Sequence, residues 1–238
     1  RRIITLFGDK AISDVHWGDW GTPLGLVIRE IQEMYPDLPY FDASYEGEYP
    51  KTSPVTNEEL GVIYPRASKR KKEDEVYANE AKLLTERLQK GERGIRALWQ
   101  HIVNVSKEDS KRVYDFLNCS FDYSYGESDA DPYVEPVLDF FKEKGVTQLS
   151  EGALIMHVKE ECDTKEMPPL MFVRSDGAVS YATTDLATIM QRMQDFKPDG
   201  IWYFVDERQN LHFEQVFRGA KKSGLVPGTM DFRFLGFG

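Results

Sequence analysis

A glycine-spaced turn with two tryptophans and an aspartate is the first segment of the sequence that could carry chemistry. It runs from His16 to Gly25 as H-W-G-D-W-G-T-P-L-G. Glycine lets the backbone approach a ligand closely, and tryptophan offers a flat face for stacking. The spacing G-x-x-G-x-x-x-G is not the dinucleotide pattern G-x-G-x-x-G. A tight turn pinned by core aromatics explains the segment equally well, so both interpretations stay open.

A carboxylate at the predicted start of a helix is the second candidate. Asp185 follows Tyr181 by four residues in the segment Y-A-T-T-D. An aspartate in that place commonly caps a helix N-terminus. At the top of a sheet strand it could instead receive a cationic ligand, because a carboxylate matches a guanidinium in a bidentate arrangement.

The segment Q-N-L-H-F-E-Q, residues 209–215, is the third candidate and follows a predicted buried strand. Parallel α/β sheets bind ligands at the carboxyl ends of their strands. Gln209 would lie at such an end, where an amide can orient a ligand. His212 lies on an otherwise apolar helical face, where a histidine satisfied within the core is the commoner interpretation.

Composition limits the classes of protein to consider. Of the 238 residues, 40 are acidic and 30 are basic, and the net charge is −10. This balance argues against a stand-alone binder of DNA or RNA, because phosphate affinity comes mainly from Lys and Arg. The basic run at residues 69–72 is followed by three acidic residues, which is typical of a solvated helix face, with nucleic-acid contact as the minority alternative. No apolar run of about 18 residues is present, so no membrane span is predicted.

Other common kinds of site are not indicated. Cys119 and Cys162 fit a reducing compartment and predict no disulfide framework. Neither has a second Cys or a His at metal-ligand spacing, so no metal site is predicted. The phosphate loop G-x-x-x-x-G-K-[ST] is absent, and no Ser-His-Asp or Cys-His arrangement follows from spacing. The residues alone predict a nucleotide-type α/β domain with a helical insertion that binds a ligand. They do not indicate which ligand it binds.

Helices and strands alternate at both ends of the chain, and they must position these residues. Helices are predicted at 1–7, 23–34, 132–144, 185–190 and 211–223, and strands at 10–16, 121–125, 152–158, 169–174, 178–184, 201–206 and 231–236. A capping-box pattern at residues 56–59 begins a helical region that extends to Asn118. About four helices are expected there, with Pro65 breaking the first and Ser106 beginning another.

Taken together, the motifs resemble those of arginyl-tRNA synthetases, which are class I aminoacyl-tRNA synthetases. The resemblance is carried in order by residues 16–25, by Y-G-E-S at 125–128, by Y-x-x-x-D at 181–185 and by residues 205–215. It covers nearly the whole chain. It implies an α/β fold with a Rossmann-type parallel-sheet catalytic domain: a first part at 1–40, a mostly helical connective insertion at 41–150 and a second part at 151–238.

The resemblance also implies an activity and a set of contacts. The family activates arginine with ATP and Mg²⁺ and transfers it to tRNA(Arg), and a cytoplasmic location is expected. Asp185 would hold the guanidinium, which Tyr181 would help to position. Gln209 would bind the backbone of the amino acid. His212 and Gln215 would contact ATP, and Trp20 and Glu127 would contact the 3′ end of the tRNA.

Two motifs of class I synthetases are not found in the 238 residues. These are the H-I-G-H-type and K-M-S-K-S-type segments, which bind the ATP phosphates. We therefore expect a fragment of the catalytic domain that holds no catalytic residue and is inactive by itself. The alternative is a non-catalytic module that binds arginine or a nucleotide, or one that associates with tRNA.

Overall fold

The computed structural model describes residues 1–238 and divides them into two compact units, Arg1–Gly126 and Glu127–Gly238. Each unit has its own apolar core. The largest core of the first unit includes Ile28 and Leu98, and that of the second includes Phe172 and Val216. The predicted division at residues 40 and 150 stays a prediction.

The first unit is mostly helical and contains a two-stranded parallel sheet. Its elements are α1 (Arg2–Leu6), β1 (Asp14–Trp17), α2 (Thr22–Met34), α3 (Asn57–Glu73), α4 (Glu75–Gln89), α5 (Arg93–Phe116) and β2 (Tyr123–Gly126). In the sheet, Asp14 lies opposite Tyr123 and Trp17 lies opposite Gly126. The predicted elements at 1–7, 10–16 and 23–34 are thus present with shifted ends.

Helix α3 begins with the predicted capping box. The Thr56 hydroxyl accepts a hydrogen bond from the Glu59 backbone N–H at 3.2 Å, and the Glu59 carboxylate accepts one from the Thr56 N–H at 2.8 Å. The prediction that Pro65 breaks this helix is wrong, because α3 continues through it to Glu73. Pro65 lies on the exposed side, and the buried Ile63 and Ala67 hold the turns on either side of it. Packing therefore offsets the one backbone hydrogen bond that proline removes.

Helix α5 is continuous over 24 residues, so the prediction of a new helix at Ser106 is wrong. The Ser106 hydroxyl donates to the Ile102 carbonyl at 3.0 Å within the helix instead of capping a new one. Serine makes this bond to the preceding turn when it lies inside a helix. The region therefore holds three long helices rather than four.

The second unit combines an antiparallel sheet, a parallel pair of strands and two long helices. Its elements are α6 (Glu127–Ala130), α7 (Val134–Glu143), β3 (Gln148–Ser150), β4 (Ala153–Met156), β5 (Leu170–Val173), α8 (Tyr181–Asp195), β6 (Gly200–Asp206), α9 (Asn210–Ser223) and β7 (Asp231–Phe237). The antiparallel sheet has the order β3-β4-β5, and β6 pairs in parallel with β7. The predicted strand at 178–184 is reduced to one bridge between Val173 and Val179, because α8 begins at Tyr181.

Strand β6 and helix α9 form the support of the third candidate segment. The parallel pairing of β6 confirms the prediction, but its predicted burial is wrong beyond Ile201, since the Phe204 side chain is 66% exposed. Helix α9 follows β6 through a short 3-10 turn, Glu207–Gln209. It ends as predicted at Gly224, whose φ of +76° lies in the left-handed region that glycine adopts readily.

Candidate functional site

Asp185 and His212 join the N-terminal halves of α8 and α9. The Nε2 atom of His212 lies 2.5 Å from Oδ2 of Asp185. The two side chains are 29% and 20% exposed, so the pair is partly open to solvent. The interpretation of Asp185 as a helix cap is wrong, because α8 begins four residues earlier and its cap position is Ser180. The pair therefore places a carboxylate, with one protein partner, where a ligand can reach it.

Tyr181 is positioned beside Asp185 by the helical repeat. The two residues are four apart on α8 and so lie on the same face, one turn from each other. The Tyr181 side chain is 68% exposed, whereas Leu186 and Ala187 on the other side of the helix are fully buried. Burial of that other face fixes the rotation of α8 and directs the candidate face outward.

Gln209 is positioned by the turn between β6 and α9. The Asp206 carboxylate at the end of β6 accepts the Arg208 backbone N–H at 2.9 Å and pairs with the Arg208 guanidinium at 2.8 and 2.7 Å. The hydrogen bonds from the Arg208 side chain, and then from its backbone, lower the pKa of Asp206 to about 2. Gln209 follows as the exposed cap residue of α9, three residues before His212. The tight turn thus places Gln209 near the same end of α9 as the histidine.

Gln215 lies nearly one turn beyond His212 and ties α9 to the chain before β5. Its amide Nε2 donates to the carbonyls of Pro168 and Pro169 at 2.7 and 3.3 Å. The structure thus uses the amide nitrogen of Gln215 within the fold.

Arg218 makes an ion-pair cluster that the sequence motifs did not indicate. Its guanidinium donates to both oxygens of Asp163 at 2.6 and 2.8 Å and to the Glu214 carboxylate at 2.5 Å. The Arg218 hydrogen bonds, together with the Glu160 backbone N–H, lower the pKa of Asp163 to about 2. Because Asp163 and Arg218 are 55 residues apart, no local spacing could have revealed their contact. It fastens the segment between β4 and β5 to α9.

Comparison with known proteins decides the family. All 238 residues match the family model described as the catalytic domain of class I tRNA synthetases (R). The chain belongs to the arginyl-tRNA synthetase family. It is 52% identical over its whole length to the arginine–tRNA ligase of Agathobacter rectalis and 50% identical to that of Alkaliphilus oremlandii, and it covers 40% of each. The chain therefore spans about two fifths of the length of these curated relatives.

A solved structure of the family supports the fold. The crystal structure of arginyl-tRNA synthetase from Plasmodium falciparum matches with a TM-score of 0.77 at 25% identity, over all of this chain and 37% of that one. The α/β fold of a class I synthetase catalytic domain, which the resemblance implied, is confirmed.

Two of the motifs that suggested arginyl-tRNA synthetases meet within the first unit. Asp19 from the glycine-spaced turn is buried at 6% exposure, and its carboxylate lies against Gly126 of the Y-G-E-S motif. A Cβ on Gly126 would lie only 2.2 Å from Asp19 Oδ2. Any larger residue at position 126 would therefore displace this aspartate.

Trp20 of the same turn lies in the core of the first unit of the synthetase chain. Its side chain is 8% exposed, its ring meets Trp99 edge-on at 5.6 Å, and the Arg96 guanidinium lies 4.9 Å from the ring. The interpretation of a turn pinned by core aromatics thus has direct support. Glu127 opens α6 in the second unit. Contact of either residue with tRNA stays a prediction.

The chain also offers few other kinds of site. No group of three or more His, Cys, Asp or Glu side chains is placed to hold a metal ion. Both cysteines are free and exposed. None of the helices is long and apolar enough to span a membrane.

Proposed function

We propose that the protein carrying this chain is an arginine–tRNA ligase. It activates L-arginine with ATP, which brings Mg²⁺ with it as a substrate complex, and then transfers the arginine to tRNA(Arg). Membership of the arginyl-tRNA synthetase family supports this activity. We also propose a cytoplasmic location, because the two cysteines are free and free cysteines are typical of a reducing compartment.

The single observation that supports an arginine site is how the two oxygens of the Asp185 carboxylate are hydrogen-bonded. His212 occupies Oδ2, and Oδ1 has no protein donor. A guanidinium donates through a planar fork, which suits a carboxylate better than the point charge of a lysine ammonium. Asp185 would therefore select arginine, Tyr181 would flank the side chain, and the Gln209 amide would bind the backbone of the amino acid.

The other proposed contacts serve the second and third substrates. Gln215 is proposed near ATP, and Trp20 and Glu127 near the tRNA 3′ end. In the first step the arginine carboxylate attacks the α-phosphorus of ATP and pyrophosphate leaves. In the second, a terminal hydroxyl of tRNA attacks the activated carbonyl and AMP leaves. The residues of this chain have binding roles in this proposal, and none of them is proposed to contact the reacting phosphates.

Arginine binding tests the site. In the protein that carries this sequence, Asp185→Asn should weaken the binding of L-arginine by about tenfold or more, because it removes a charged acceptor worth about 1.5–3 kcal/mol. Calorimetric titration measures the affinity, and arginine-dependent ATP–pyrophosphate exchange with tRNA present measures the activity. Asp176→Asn is the matched control, since Asp176 pairs only with Arg174 and its own hairpin turn.

Three outcomes are informative. Loss of both affinity and exchange in Asp185→Asn alone would support the proposal. Unchanged affinity in that variant would contradict the assigned pocket. Arginine binding by the wild-type protein without any exchange would contradict the ligase and favour a non-catalytic arginine-binding module.

A further inference from the structure

We infer that His212 is a positioning residue of the arginine site, which acts by holding the Asp185 carboxylate in the orientation that a guanidinium needs. This inference rests on the proposed function and goes beyond it, because it assigns His212 to arginine rather than to ATP. The contact that carries it is the 2.5 Å approach of Nε2 to Oδ2.

The imidazole is itself held in place. Its neighbour Phe213 is buried at 4% exposure, and the two rings meet edge-on with centroids 5.1 Å apart. Val216, one turn further along α9, is fully buried and belongs to the same core as Leu186 of α8. The backbones that carry His212 and Asp185 are thus anchored by apolar packing beneath them.

A held carboxylate improves recognition of a guanidinium in two ways. The plane of the carboxylate must align with the planar fork for a bidentate contact. An aspartate without a partner rotates freely and loses that freedom on binding, whereas one that is already oriented loses less. His212 uses only one of the acceptor sites of Oδ2 and leaves Oδ1, so both oxygens can still accept from a ligand.

A purely structural role explains the pair less well. Both side chains are partly exposed, and polar pairs in such places contribute little to stability. The two helices are already joined through the core that contains Leu186 and Val216. The main effect of the pair is therefore on the carboxylate that it orients.

Steady-state kinetics of exchange in the protein that carries this sequence test the inference. His212→Ala should raise the KM for arginine about tenfold or more and leave the KM for ATP within about twofold. His212→Gln should restore part of the arginine affinity, because the glutamine amide N–H can take the place of the Nε2 donor. His157→Ala is the control, since the ring of this exposed histidine of the same unit hydrogen-bonds only the Gln148 side chain, at 2.7 Å. The backbone carbonyl of His157, which accepts from Lys222, remains in the variant.

The difference between the change in KM for arginine and the change in KM for ATP decides the outcome. An unchanged KM for arginine in a folded His212→Ala protein would overturn the inference. Equal rises in the KM for arginine and the KM for ATP would also overturn the inference, by showing an ATP-binding or structural role. A His212→Gln protein with no recovered arginine affinity and a lowered melting temperature would overturn it by showing a structural role. If Asp185→Asn loses arginine but His212→Ala does not, the proposed function stands and only this inference fails.

Discussion

Asp185 and Asp163 are both aspartates of the second unit that accept hydrogen bonds from side-chain nitrogens. They differ in how many carboxylate oxygens remain without a protein donor. The Arg218 guanidinium donates to both oxygens of Asp163, whereas His212 contacts only Oδ2 of Asp185. A carboxylate whose two oxygens are both bound by one guanidinium is satisfied within the fold. Asp163 is therefore structural, whereas Asp185 keeps one oxygen without a protein donor, as the proposed arginine site requires.

The pH dependence of Asp163 tests its structural role. Its pKa in the folded chain is lowered to about 2 from a usual value of 3.8 by the Arg218 hydrogen bonds. A lowered pKa means that the stabilisation is complete above the unfolded value and is lost as the pH falls from about 4 toward 2. We expect the Asp163→Asn variant to melt below the wild type at pH 6, and the difference to narrow below pH 4.

Carboxyl ¹³C NMR measures the same property directly. Asp163 should titrate near pH 2 in the wild type and at a higher pH after Arg218→Gln, although the Glu160 backbone N–H still lowers its pKa in that variant. Titration of Asp163 near pH 3.8 in the wild-type protein would contradict the contact.

At the scale of elements, local signals were sufficient where one short segment determines the outcome. The capping box at Thr56 and the left-handed glycine at Gly224 were predictable, because each depends on residues within a turn of one another. The errors at Pro65 and Ser106 have the opposite origin. There the burial of neighbouring residues, such as Ile63, decided that the helix continues, and single-residue preferences do not contain that information.

Removing the N-terminal cap of α3 tests how much the capping box contributes to the free energy of unfolding. Thr56→Ala deletes the hydroxyl that accepts from the Glu59 N–H, so we expect a loss of about 1 kcal/mol in the free energy of unfolding. Urea denaturation followed by circular dichroism measures it. Thr52→Ala is the control, because Thr52 is exposed and lies outside the helix. Equal losses in the two variants would show that the cap contributes nothing specific.

At the scale of the whole molecule, the candidate site was only partly predictable. Asp185 and Gln209 were candidates from residue type and position, with Tyr181 four residues before the aspartate. Their roles came from the resemblance to synthetases and stay proposals. The contact between Asp185 and His212 spans 27 residues and two helices, so no spacing rule indicated it. It required the packing of α8 against α9.

Activity of the 238 residues alone is the prediction that belongs to this scale. Since they contain neither the H-I-G-H-type nor the K-M-S-K-S-type segment, groups that stabilise the reacting phosphates are missing from them. We expect no arginine-dependent ATP–pyrophosphate exchange from this chain by itself, even with tRNA present. Measurable turnover in that assay would show that other residues of the chain act on the phosphates.

Three side chains of helix α9 make polar contacts with other parts of the unit: His212 with α8, and Gln215 and Arg218 with the connection between β4 and β5. These contacts depend on the rotation of the helix, because one inserted residue turns everything beyond it by about 100° and moves it by about 1.5 Å. A substitution removes one contact, whereas an insertion just before His212 would misalign all three together. The length of α9 should therefore tolerate far less variation than its individual side chains do.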